Sequence, residues 1–74
     1  MNLKKKNLGL AERLITTFRN FTFFAGTLKK VNSAEMGNLT GQIMKELQAQ
    51  GKSEDWTVGF AKMANALYLK VSLS

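Results

Sequence analysis

Cysteine, histidine and proline are all missing from this 74-residue chain, and acidic residues number only five. Without cysteine there is no disulfide staple and no thiolate chemistry. Without histidine the commonest general base and the commonest metal ligand are gone. The acids (Glu12, Glu35, Glu46, Glu54 and Asp55) are scattered over separate outer faces of the predicted helices. They offer no nucleophile–base pair and no metal constellation. A glycine-rich phosphate loop of the Walker or dinucleotide type is also lacking. No enzyme, catalytic residue, metal or cofactor is expected.

Long apolar runs are missing as well. The longest uncharged stretch falls far short of the ~20 residues that span a bilayer. The start MNLKKKN imitates the basic region of a signal peptide, but Glu12, Arg13 and Arg19 interrupt the adjoining segment and no small-residue cleavage site appears. A cytoplasmic, reducing setting is the expectation. No repeat and no low-complexity linker divides the chain, so it reads as one domain. A core this small buries only ~60% of the unfolded surface, which leaves stability marginal or borrowed from a partner.

Positive charge is plentiful, and it is unevenly placed. In residues 1–30, Lys4, Lys5, Lys6, Arg13, Arg19, Lys29 and Lys30 stand against Glu12 alone, so this segment carries the whole net charge of +6. In residues 31–74, Lys45, Lys52, Lys62 and Lys70 balance Glu35, Glu46, Glu54 and Asp55. Whatever the charge serves, the N-terminal third holds it.

Hydrophobic periodicity predicts an all-α fold, a compact three-helix bundle after a flexible basic tail over 1–7. In Leu8–Val31, the residues Leu10, Leu14, Phe18, Phe21, Ala25 and Leu28 fall within an arc of about 80° at helical pitch. That predicts one long amphipathic helix over 8–31, capped by Asn7, ~36 Å long at 1.5 Å per residue. A strand reading of RNFTFF fails at the adjacent Phe23 and Phe24. Asn32 and Glu35 have capping-box spacing, and Met36, Leu39, Ile43 and Leu47 predict a second helix over 33–50, closed by a left-handed Gly51. Ser53, Glu54 and Asp55 open a third over 54–70, with Trp56, Phe60, Met63, Leu67 and Val71 as its core stripe. The end, LYLKVSLS, also alternates, so its last turns could be extended instead.

Charge and helical phase select the candidate binding residues. Lys4, Lys5 and Lys6 read either as a solubilising tail or as contacts to phosphates, where flexible lysines release counterions. Phe23 lies on the polar side of the first helix, beside Arg19 and Lys30 at helical spacing, with Thr16 and Thr27 nearby. It is either core, wrapped by the other helices, or an exposed aromatic among cations that stacks on a base or anchors an interface. Arg13 and Lys29 complete the basic set. Val58, Leu69 and Leu73 point away from the third helix's stripe and form a candidate protein interface. A helix-turn-helix reader is disfavoured, because the third helix carries only Lys62 and Lys70 and no arginine for base edges.

The function expected is a non-enzymatic basic helical module that holds nucleic-acid backbone, as a subunit or accessory of a larger nucleoprotein assembly. The alternative is a protein-binding adaptor or inhibitor of phage or mobile-element type, docking through helix one. A homo-oligomer is compatible with either. A membrane-surface amphipathic peptide ranks third, because two further stripes are available to cover the first.

Overall fold

The break that organises the molecule falls inside the segment predicted as one long helix. A computed structural model describes residues 2–73, with side chains from residue 9 onward. Among the described residues there are four helices and no strand: α1 (Asn2–Thr17), α2 (Phe21–Lys29), α3 (Ser33–Ala49) and α4 (Glu54–Leu73). The expected three-helix bundle is thus corrected to four helices.

The chemistry of the break is local. The hydroxyls of Thr16 and Thr17 both donate to the Arg13 carbonyl, at 3.2 and 2.6 Å, crowding an acceptor that the helix itself uses. The Asn20 N–H then closes a tight turn onto the Thr17 carbonyl at 2.8 Å. Asn20 is extended (φ −106°, ψ 95°), and its side chain accepts from the Phe23 N–H at 3.3 Å, capping a new helix. The restart changes the helical phase. Phe24, Leu28 and Val31 turn inward, whereas Phe21, expected in the core, is 65% exposed.

α1 begins at Asn2, ahead of the Asn7 cap expected for it. Of the tail expected over 1–7, Met1 and the side chains of the remainder lie outside the described residues, and those of Lys4, Lys5 and Lys6 with them.

The other two helices start and stop as their sequences dictate. At α3 the capping box is complete: Glu35 N–H donates to Asn32 Oδ1 at 2.8 Å, and Asn32 N–H donates to Glu35 Oε1 at 3.2 Å. Its end is a Schellman turn. Lys52 N–H reaches the Leu47 carbonyl and Gly51 N–H the Gln48 carbonyl, each at 3.0 Å, with Gly51 at φ +85°. Ser53 Oγ accepts from the Trp56 N–H at 3.1 Å to cap α4. α4 stays helical to Leu73, so the extended alternative for its last turns does not occur.

The helices pack as a ring. Among the described residues α1 lies against α2 and α3, and α4 lies against the same two; the backbones of the diagonal pairs do not come close. The core is built from Ala11, Leu14 and Ile15 of α1, Phe24 and Leu28 of α2, Met36, Leu39, Ile43 and Leu47 of α3, and Phe60, Ala64 and Tyr68 of α4, with Val31 between helices. The α3 stripe is the one expected. On α4 the buried arc is rotated: Thr57, Phe60, Ala61, Ala64 and Tyr68 face inward, and Trp56 and Met63, expected in the core, are 39% and 42% exposed. The buried arc of α4 is set by where α2 and α3 stand against it, and Leu67 and Val71 of the expected stripe remain partly buried at its edge. The buried Thr57 hydroxyl is satisfied by the Ser53 carbonyl at 2.7 Å.

Candidate functional site

Breaking the first helix folds its two halves into an angle, and the inside of that angle is a groove. It holds about 520 Å³ and is lined by Arg13 and Thr17 from α1 and by Thr22, Phe23, Gly26, Thr27 and Lys30 from α2 and its cap. Three of the candidates named from sequence (Arg13, Phe23 and Lys30) therefore share one concavity. They come together because Arg13 and Thr17 are one turn apart on α1, while Phe23, Thr27 and Lys30 recur at four and three on α2.

Phe23 is 64% exposed, so of its two readings the core one is set aside. Its backbone N–H is held by Asn20 and its carbonyl accepts from the Thr27 hydroxyl at 2.9 Å, fixing the ring's base on an ordered turn. Gly26 sits between them, and a Cβ added there would meet no atom within 4 Å beyond its chain neighbours and its own helix backbone. Arg19 and Lys29 are exposed but do not line the groove. Arg19 belongs to the turn between the helices, a placement that a continuous helix could not foreshadow.

A second surface is apolar. Phe60 is the hub of four rings. It stacks on Trp56 (centroids 5.5 Å apart, planes 20° apart) and meets Phe18 and Phe24 edge-on at 5.6 and 5.9 Å. Phe18 also meets Trp56 edge-on at 6.0 Å, and Lys52 Nζ lies 5.0 Å from the Trp56 ring centre. Phe18, Trp56, Gly59, Phe60 and Met63 line a shallow depression of about 280 Å³. This patch was missed from sequence, where Phe18, Trp56 and Met63 all counted as core. Of the interface candidates, Leu69 and Leu73 are exposed at 61% and 87%, and Val58 is half-buried.

Among the described residues no group of three or more carboxylates, histidines or cysteines converges as a metal would require. Among the described residues no helix is long and apolar enough to cross a membrane. Comparison with protein-family models, with curated proteins and with solved structures returns no match, so the assignment of a role rests on the groove and the patch themselves.

Proposed function

We propose that the chain is a non-enzymatic basic module that binds nucleic acid by its phosphate backbone, as a subunit or accessory of a larger nucleoprotein assembly. The observation that carries this reading is the groove. Arg13 and Lys30 flank an exposed Phe23 within the segment that holds the whole net charge of +6. Phosphates are the ligand that rewards such a placement, since each one neutralised releases condensed counterions.

The test is binding to short labelled oligonucleotides across a salt series. Affinity should fall steeply as salt rises, each phosphate contact adding roughly 0.7 to 0.9 to the log–log slope. Absence of binding at low salt refutes the reading.

A second reading, a protein-binding adaptor, is favoured by the half-exposed rings of Phe18 and Trp56 beside Met63. Aromatic and methionine side chains are enriched at interface centres. The two readings separate by mutation: Met63→Lys disables the patch and leaves the groove intact, while Arg13→Gln does the reverse. Sedimentation of the free protein checks whether the partner is a second copy.

A further inference from the structure

We infer that the groove between α1 and α2 takes an unpaired nucleotide, with its base on the face of Phe23, its flanking phosphates on Arg13 and Lys30, and its hydrogen-bond donors on threonine oxygens. The inference rests on the nucleic-acid reading and narrows it to single strands.

Three observations point to an unpaired base. The first is shape. A concave site accepts something that protrudes, and a duplex presents phosphate ridges and base edges while its base faces stay covered by stacking. A single strand can swing a base outward. The second is the exposed Phe23 ring, 64% accessible at the side of the groove. A ring in that position gains most from a flat π-face, and every base has one.

The third is the state of the hydroxyls. Thr17 donates its proton to the Arg13 carbonyl at 2.6 Å, and Thr27 donates its own to the Phe23 carbonyl at 2.9 Å. Each hydroxyl has only one proton to give, so toward the groove these oxygens can only accept. A phosphate, which accepts only, gains nothing from them. An exocyclic amine or ring N–H of a base, or a ribose 2′-hydroxyl, donates to them. Thr17 and Thr27 thus offer lone pairs to the base or sugar, while Arg13, Lys30 and the unpaired hydroxyl of Thr22 are left for the phosphates.

Gly26 supplies a clean test of occupancy, because the space above it is empty of protein. Gly26→Leu places a side chain in the groove, and its first carbon meets nothing beyond its own helix backbone. The experiment uses fluorescence anisotropy with a fluorescein-labelled 12-nucleotide single strand, its duplex, and a strand of equal length carrying abasic sites. Wild type should bind the intact strand at least tenfold more tightly than the duplex. Phe23→Leu, Gly26→Leu and the abasic strand should each weaken binding roughly five- to 150-fold, the range for one stacked base. Phe23→Leu should add nothing further on the abasic strand, and its salt slope should stay at the wild-type value. Thr27→Val should weaken the intact strand and leave the abasic DNA strand unchanged.

Circular dichroism melts of each variant verify the fold. Equal affinity for strand and duplex, with Phe23→Leu and Gly26→Leu silent, overturns the unpaired-base inference and leaves backbone binding standing. Failure to bind any of the three at low salt overturns both. Loss of a protein partner by a folded Phe23→Leu variant, with oligonucleotide affinity unchanged, assigns the ring to a protein interface and overturns the inference.

Discussion

The side-chain amide of Asn65 on α4 donates to the Thr40 hydroxyl oxygen on α3 at 3.0 Å, tying two helices across 25 residues of chain. The same amide nitrogen donates its second proton to the Ala61 carbonyl at 2.9 Å, and Thr40 passes its own to Met36 at 2.9 Å. Every proton in this part-buried chain of bonds has an acceptor. Asn65→Ala should cost about 1 kcal/mol, lowering the melting temperature by roughly 4–8 °C in a domain this small. Asn65→Ala combined with Thr40→Ala should cost less than the two singles together. Strict additivity in urea denaturation would mean the two side chains do not meet in solution.

Phe24 and Phe21 differ in burial, at 2% and 65% exposed, although they are three residues apart. Phe24→Ala should therefore lose about 3–5 kcal/mol, as phenylalanine truncations in cores do. Phe21→Ala should stay within about 0.5 kcal/mol of wild type. Comparable losses for both, measured by the same urea titration, would restore the single long helix and remove the break.

Phe60 meets three other rings and Leu14 is fully buried, so Phe60→Ala should cost about 3–5 kcal/mol and Leu14→Ala about 2–5 kcal/mol. Trp56 should report on the first of these. Its fluorescence maximum and its quenching by iodide ought to change in Phe60→Leu, which removes the stacked ring and keeps an apolar side chain. An unchanged spectrum would place Trp56 away from Phe60.

Glycine substitution should have opposite signs at two sites. Gly51, at φ +85°, ends α3 in a conformation that costs other residues roughly 1–2 kcal/mol, so Gly51→Ala destabilises. Gly37 lies exposed within α3 with open space around it. There Gly37→Ala stabilises by about 0.5–1 kcal/mol through reduced backbone freedom. Thermal melts with shifts of the same sign at both positions would contradict this.

Charge removal distinguishes groove cations from the others. Arg13→Gln and Lys30→Gln should each lower the log–log salt slope by roughly 0.7 to 0.9. Arg19→Gln and Lys29→Gln, exposed outside the groove, should lower it less. Equal effects at all four sites would describe a diffuse basic surface without a site.

How much of the fold was legible in the sequence depends on how far each signal reaches. Asn32, Glu35, Gly51 and Ser53 act on their immediate neighbours, and the helix ends they announce all occur. The α3 stripe is also local, since α3 buries a single narrow arc. The break at Thr17–Asn20 escaped because no glycine or proline marks it. Its signals, a pair of threonines and an asparagine, are weak ones that a continuous apolar stripe outweighs. The rotation of α4 escaped for a different reason: which arc of a helix is buried depends on where its neighbours stand, and periodicity along the chain does not record that. The same limitation hid the aromatic patch, because a stripe read as core has no visible edge. Arg13 and Phe23 were each picked out by charge or phase, but their sharing a groove required the bend.

The order of packing in the ring also sets what each half of the chain can bury by itself. α1 and α2 are neighbours in sequence, yet α1 is also packed on α3 and α2 on α4. Neither half of the chain encloses Leu14, Phe24 or Leu28 by itself, so an isolated N-terminal half would keep apolar side chains in water. The angle that forms the groove is thus held twice, locally by the Asn20 turn and cap and remotely by the packing of α1 on α3 and of α2 on α4. A substitution at the buried Ile43 or Ala64 is expected to reach the groove through that packing, with no cation altered.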